Sequence, residues 1–349
     1  MWGFESPLSH FMTESRYSRQ TVLHHIGEEG QSRLEAATVA VVGLGATGGA
    51  AAELLARIGI GTLILIDRDV VEESTLPRQT LFNNQDSTTS ASKAEAAAQS
   101  LQATGLNQSF IAKAADLNHS NAKSLLRDAE LIIDGTDNFH TRYLLNDYSI
   151  AQNIPWLYMG AVGTWGITGL VVPPGPCLRC TWPLPPQTGQ AATCSTAGII
   201  ASASTAIAAL GVTEAVKWIL KKDEDLLKGF AHIDIWSHEH RSLTATKDPA
   251  CPCCVDHELP WLNGDNTDSE AETLCGGDSV QIPVLSGPIN LERLAARLNP
   301  QCKPTKQGDT LRFETRNCEI VIFEDGRALI RGTRDPALAK SILAETIGV

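Results

Sequence analysis

One stretch constrains the fold of this chain more than any other: Thr38 to Asp67, TVAVVGLGATGGAAAELLARIGIGTLILID. A short β-branched run, Thr38 to Val42, breaks at Gly43-Leu44-Gly45-Ala46-Thr47-Gly48. An alanine-rich segment with helical spacing follows, and a second apolar run from Thr62 ends at Asp67. Continuous apolar runs of this length, bounded by glycine, read as buried parallel strands, here joined by a helix. Gly43, Gly45 and Gly48 let the backbone turn tightly and approach a phosphate, whose charge meets the free N–H groups of a helix N-terminus. Asp67, at the end of the second strand, can accept hydrogen bonds from two ribose hydroxyls. The same arrangement serves dinucleotides, so an NAD-dependent oxidoreductase is the first alternative to a nucleotide enzyme of another class.

The 349 residues suit one large domain with a smaller one. A formal charge of −12 without a basic stripe argues against nucleic acid as a partner. Any phosphate site must therefore be built from a few local cations. The most apolar later run, Ala197 to Leu220, includes Glu214 and Lys217 and reads as a buried helix, so no membrane partner is expected. The first fifteen residues lack the basic start and long apolar run of a signal peptide, and the expected compartment is the cytoplasm. Nine cysteines in such a chain point to metal or sulfur chemistry rather than a disulfide framework. Cys177 and Cys180 with Cys251 and Cys254 form two CxxC knuckles, the spacing at which four thiolates close around tetrahedral zinc. A redox CxxC would need only one pair.

Along the chain, Arg16 to Ile26 reads as a helix, and further strands are expected near Phe110 to Ala114, Leu131 to Asp134, Pro155 to Ala161 and Gly166 to Val172. The turn Gly135-Thr136-Asp137-Asn138 would share the strand-end rim with Asp67 and the glycine turn. Its simpler role is to cap the helix that follows. The breaker-rich loop Trp182 to Ala192 delivers Cys194 to the start of the Ala197 helix, and Phe230 to Trp236 and Arg241 to Thr246 close the sheet. The expected fold is α/β: a doubly wound, mostly parallel, Rossmann-like sheet with an antiparallel extension, zinc knuckles and a small C-terminal α+β appendage. The boundaries expected are 1–255 for the main domain, 256–277 for a linker and 278–349 for the appendage.

Over nearly its whole length the chain resembles the ubiquitin-activating-type adenylyltransferases that serve sulfur carriers, the ThiF/MoeB family of thiamine and molybdopterin synthesis. The likeness rests on Arg16-Tyr17-Ser18-Arg19-Gln20, Gly43 to Gly48, Asp67, Arg78-Gln79, Lys93, Asp134 to Asn138, both knuckles and Thr193-Cys194. Leu274-Cys275-Gly276 and the C-terminal appendage bring it closer to the long ThiF proteins of some bacteria. The resemblance implies that ATP and the C-terminal glycine carboxylate of a ubiquitin-like carrier ending in Gly-Gly form an acyl-adenylate and pyrophosphate. It further implies a phosphate-binding role for Arg78 and Lys93, ribose binding by Asp67, and Mg2+ positioned by Asp137. Thr75, Gln79 and Asn138 complete the nucleotide set with the three glycines of the turn, and Zn2+ sits in the knuckles. Arg19 matches an arginine finger that reaches the partner's ATP in a homodimer. Cys194 matches a cysteine that in some members bonds the carrier covalently, with a cysteine desulfurase or rhodanese as a possible sulfur donor. Thr75 departs from the pattern, since the family usually has asparagine there. A non-catalytic adaptor for a ubiquitin-like protein is the further alternative, and the presence of Arg78, Lys93 and Asp137 argues against it.

Overall fold

The computed structural model describes residues 16–105, 107–186, 194–266, 272–273, 279–282, 288–298 and 302–347. The first sheet has eight strands in the order β3-β2-β1-β4-β5-β6-β7-β8. Strands β1 (Thr38–Val42), β2 (Thr62–Asp67), β3 (Ser109–Ala114), β4 (Leu131–Asp134) and β5 (Trp156–Val162) run parallel. Strands β6 (Trp165–Val171), β7 (Gly229–Asp234) and β8 (Glu239–Thr244) extend it antiparallel.

Eleven helices accompany this sheet among the described residues: α1 (Ser18–Thr21), α2 (Gly27–Ala36), α3 (Ala46–Ile58), α4 (Asn84–Thr88), α5 (Lys93–Ala103), α6 (Ala122–Leu126), α7 (Phe139–Gln152), α8 (Leu178–Thr181), α9 (Cys194–Ala197), α10 (Ala201–Ile219) and α11 (Pro260–Asn263). Both faces of the parallel strands are buried, which is why their sequences do not alternate. Val39, Val41, Leu63 and Leu65 pack with Leu55 of α3, Leu101 of α5 and Val212 of α10. Their neighbours Ala40, Val42, Ile64 and Ile66 face the other way, onto Leu126 of α6 and Leu144 of α7. The chain leaves β1 toward β2 on one side and returns to β4 on the other. A crevice therefore opens at the carboxyl ends of β1 and β4.

A second, antiparallel sheet has the order β11-β12-β13-β14-β10-β9. Its strands are β9 (Glu272–Thr273), β10 (Ser279–Ile282), β11 (Thr305–Gln307), β12 (Thr310–Thr315), β13 (Cys318–Phe323) and β14 (Ala328–Arg331). One face holds Ile320, Ile322 and Ile330 against Leu294 of α12 (Leu291–Arg297) and Ile342 of α13 (Pro336–Ile347). The other buries Val321, Phe323 and Leu329 against Val70, in the segment after β2. Among the described residues no helix is long and apolar enough to cross a membrane.

The α/β architecture, the antiparallel extension and the α+β appendage follow the sequence, and three local expectations do not. Residues 16–26 form not one helix but α1 and a turn, because Gly27 at φ +63 starts a new helix; Val22 and Leu23 stay exposed. The long helix starts at Ala201, and Cys194 lies on a separate single turn, since Gly198 takes φ +72 and Ile199 pairs with Gly163 instead. Part of the segment expected as a linker is packed: Trp261 of α11 is buried against Tyr143, with tilted rings whose centroids are 4.7 Å apart. Thr193, Leu274, Cys275 and Gly276 lie outside the described residues, as does the side chain of Cys194.

Candidate functional site

The crevice at the strand ends opens into a hollow of about 1250 Å³. That exceeds the usual size of a small-molecule pocket, roughly 300–1,000 Å³, and leaves room for a nucleotide and the end of a second substrate. Gly43, Gly45, Asp67, Thr75, Arg78, Gln79, Lys93, Asp137 and Asn138 all line it. Gly48 does not. It lies beneath the turn, where an added Cβ would meet the Gly43 carbonyl oxygen at 1.8 Å, so this glycine lets α3 close on β1 and β4. Gly45 faces the open side, where an added Cβ would find only Gln79 Nε2, at 3.8 Å.

Asp67 is held by its own backbone surroundings. Leu44 N–H donates to Oδ2 at 2.6 Å and Asp69 N–H to Oδ1 at 2.8 Å, which ties the end of β2 to the glycine turn. Burial pushes the Asp67 carboxyl up, against the pull of Lys93. Lys93, at the first position of α5, is buried rather than solvated; its Nζ donates to Asp69 Oδ2 at 3.1 Å and its backbone N–H to Asp69 O at 3.0 Å. Burial opposes the Lys93 charge, but Asp69 and Asp67 together raise its pKa above the ordinary lysine value. Burial likewise pushes Asp69 upward, and Lys93 and Arg68 outweigh it, leaving that carboxyl below the usual range.

Arg78 is different. Its Nη1 donates to Ser74 O at 2.9 Å, and it makes no ion pair among the described residues. A guanidinium that faces the hollow with no carboxylate paired to it is suited to an anion from outside. Gln79 is buried and its Oε1 has no hydrogen-bond partner among the described residues, so the hollow offers an acceptor as well as cations. Thr75 is also buried, and its hydroxyl is spent on Glu72 O at 2.7 Å. It turns inward to fix its own loop, where an asparagine amide would have donors to spare.

At the end of β4, Asp134 accepts from Thr136 N at 2.9 Å, Thr136 Oγ1 at 2.6 Å and Arg142 Nε at 3.0 Å. Arg142 also reaches Thr136 O and Met159 O, so this buried pair shapes the turn that carries Asp137. Asp137 is exposed to the hollow, and its charge acts on both Lys93 and Arg142. Asn138 caps α7 by accepting from Thr141 N at 2.8 Å, while also lining the hollow. Asp69 and Arg142 had no signal in the sequence beyond their charge, because their partners lie 24 and 8 residues away.

The knuckles meet on the face of the sheet covered by α6 and α7. Cys177 Sγ lies 3.9 Å from Cys180 Sγ and 3.6 Å from Cys251 Sγ, and Cys180 Sγ is 3.5 Å from Cys254 Sγ. Four sulfurs bound at ~2.3 Å in a tetrahedron stand ~3.8 Å apart; these three separations match that, and all four sulfurs lie within 4.8 Å of one another, so the donor set suits zinc. Cys253 lies beside Cys177 but has partners of its own: Asn146 Nδ2 donates to its sulfur at 3.2 Å and the thiol donates to Asp147 Oδ1 at 3.5 Å.

Arg19 is exposed and does not line the hollow. Its neighbour Gln20 donates to Ile58 O at 2.7 Å, at the carboxyl end of α3, so a helix of 13 residues separates Arg19 from the glycine turn. That is ~20 Å at 1.5 Å per residue, beyond an arginine's reach. Thr196 and Ile199, just after Cys194, line the hollow, as do Ser279, Leu329 and Arg334 from the second sheet and the segment after it.

The chain is 38% identical over 339 residues, 95% of its length and 99% of the relative's, to the sulfur carrier protein ThiS adenylyltransferase of Bacillus subtilis. It is 34% identical over 247 residues, 69% of its length and 90% of the relative's, to the sulfur carrier protein adenylyltransferase of Thermus thermophilus. Among solved structures it resembles E. coli MccB with ATP, at a TM-score of 0.61 and 25% identity, covering 69% of this chain and 75% of that one. The ThiF family model matches residues 17–253, and the chain belongs to the ThiF family.

Proposed function

We propose that this protein is an ATP-dependent adenylyltransferase acting on the C-terminal glycine of a ubiquitin-like sulfur-carrier protein. The observation that carries the reading is the convergence of Asp67, Arg78, Lys93 and Asp137 on one hollow large enough for a nucleotide and a peptide end. The NAD-dependent alternative uses only the glycine turn and Asp67, and leaves Arg78 and Asp137 without a task.

In the reaction a carboxylate oxygen of the carrier attacks the α-phosphorus of ATP. The bond from that phosphorus to the oxygen bridging to the β-phosphate breaks, and pyrophosphate leaves with the electron pair. Two anions meet, so positive charge must stand where negative charge develops. Arg78 supplies a guanidinium not neutralised by a protein carboxylate, and Lys93 an ammonium held charged by Asp69. Asp67, with one oxygen on Leu44 N–H and the other on Asp69 N–H, keeps lone pairs for the ribose hydroxyls. The turn Gly43 to Gly45 leaves the N-terminus of α3 open to phosphate. Asp137 would hold Mg2+, which when bound neutralises phosphate charge and orients the leaving pyrophosphate. Cys177, Cys180, Cys251 and Cys254 would hold Zn2+ as a closed, structural site.

Arg19 acts across a homodimer, on the partner's hollow, because its own lies out of reach. Cys194 belongs to the sulfur-transfer step that follows adenylation, with a cysteine desulfurase or rhodanese as donor. ATP–pyrophosphate exchange that requires a carrier ending in Gly-Gly is the test. A folded, zinc-loaded protein that exchanges with no such carrier would overturn the reading. Cys194→Ala is expected to retain exchange and lose sulfur transfer, and normal transfer by that variant would remove the thiol from the mechanism.

A further inference from the structure

The two sheets meet along the segment that leaves β2 and the helices beside it, through bonds that include Gln281 to Asp116 and Arg312 to Thr88 O, and two arginines of the C-terminal unit grip the segment itself. Arg327 is only 2% exposed. Its Nε pairs with Asp325 at 2.6 Å and its guanidinium lies over the Phe323 ring at 4.3 Å. The remaining fork donates to Arg68 O and Ala114 O, each at 3.0 Å, the carbonyls at the carboxyl ends of β2 and β3. Arg331 pairs with Glu72 and with Glu319, both at 3.2 Å, and donates to Ser90 Oγ at 3.1 Å. Between these anchors Val70 is buried against Val321, Phe323 and Leu329.

The anchored segment is the one that sets the site. Arg68 follows Asp67 directly, Asp69 holds Lys93 through both backbone and side chain, and Val71 N–H bonds Ala91 O just before α5. Three residues beyond Glu72 begins the loop of Thr75 and Arg78. Strand-end loops are ordinarily the mobile part of such a fold. Here a buried fork fixes the first carbonyl, an ion pair fixes the last side chain, and an apolar cluster fixes the middle.

We propose that the C-terminal sheet is a positioning element for the nucleotide: Arg327 and Arg331 hold residues 68–72 so that Asp67, the Asp69–Lys93 pair and Arg78 meet ATP in one geometry. The inference rests on the functional reading above, in which ATP is the nucleotide taken by this hollow. Neither arginine is a catalytic residue; each acts through the segment it holds.

The test uses the full-length protein with three variants. Arg327→Lys keeps the charge but loses the fork, Arg331→Gln loses the ion pair at a less buried position, and Leu294→Ala weakens the far face of the same sheet without touching the segment. For each, the KM for ATP and for the carrier are measured in pyrophosphate exchange, with ATP binding by calorimetry and stability by urea unfolding. Arg327→Lys and Arg331→Gln are expected to weaken ATP binding and raise its KM by at least about tenfold, the scale at which a small misplacement acts, with the carrier KM unchanged. Leu294→Ala is expected to lose stability with its ATP KM unaltered. If Arg327→Lys does not fold, Arg331→Gln decides alone. Normal ATP binding by the folded arginine variants, or an equal loss in Leu294→Ala, would overturn the proposal. Wild-type protein that exchanges while both variants match it defeats this inference alone, whereas wild-type protein that binds no ATP defeats the functional reading and the inference with it.

Discussion

Asp137 and Lys93 both face the hollow, yet removing them should affect stability very differently. Asp137 is exposed, so Asp137→Ala should abolish pyrophosphate exchange and leave unfolding free energy within about 0.5 kcal/mol of wild type. Lys93 is buried between the half-buried Asp69 and the buried Asp67, and Lys93→Ala leaves Asp67 without its cation and Asp69 with Arg68 alone. That change should abolish exchange and also cost about 3–5 kcal/mol. The pH dependence follows from the same charges. Asp69, held below its usual range, adds stability above about pH 4 that is lost in acid; Lys93, held above its own, adds stability that is lost above about pH 10. In Lys93→Ala the buried Asp67 carboxyl, raised by burial and no longer opposed by Lys93, would bind its proton more tightly folded than unfolded, so acidification favours the variant's fold. Urea midpoints at pH 7.5 and 5.0 should show the gap from wild type narrowing in acid; a constant gap would mean the pair is not electrostatically coupled.

At the scale of elements, the glycine turn divides into two functions that its sequence spacing does not separate. Gly48 lies where α3 meets the turns after β1 and β4, with backbone atoms on both sides. Gly48→Ala should destabilise the fold by about 3 kcal/mol or prevent folding, since the obstruction is backbone and cannot rotate away. Gly45→Ala meets only the tip of a flexible side chain, so it should fold normally and instead weaken ATP binding where the backbone must approach phosphate. Thermal unfolding of both variants, with calorimetric titration of ATP into the folded one, separates them. A stable Gly48→Ala protein would show that α3 can move away from β4.

Two features belong to the whole molecule. The four knuckle cysteines join the crossover after β6 to the segment after β8, 74 residues apart, so an ion bound there would tie those two segments together. Metal analysis should find one zinc per chain, and its removal should lower stability by at least about 4 kcal/mol, the linkage expected for an ion present at a thousand times its Kd. Chelation without any change in unfolding would argue against a structural ion. The second feature is the distance of Arg19 from its own hollow. Arg19→Ala and Asp137→Ala proteins, each inactive, should complement when mixed, because a mixed dimer holds one intact site. Random exchange gives about a quarter of the wild-type sites. No recovery in demonstrated mixed dimers would end the assignment of Arg19 to the partner's site.

The sequence by itself determined what is local or periodic. Uninterrupted apolar runs announced strands buried on both faces, glycines marked the turn after β1, and paired CxxC spacings marked a metal-binding donor set. Even the two roles of Asn138, cap and lining, could be read from its place at the end of a strand. Tertiary structure alone decided which charges became partners. Lys93 finds Asp69, Arg142 finds Asp134, and Arg327 crosses 259 residues to the carbonyl of Arg68. Spacing carries no record of such pairs, because they form only where separate elements converge and burial makes an unpaired charge too costly to keep.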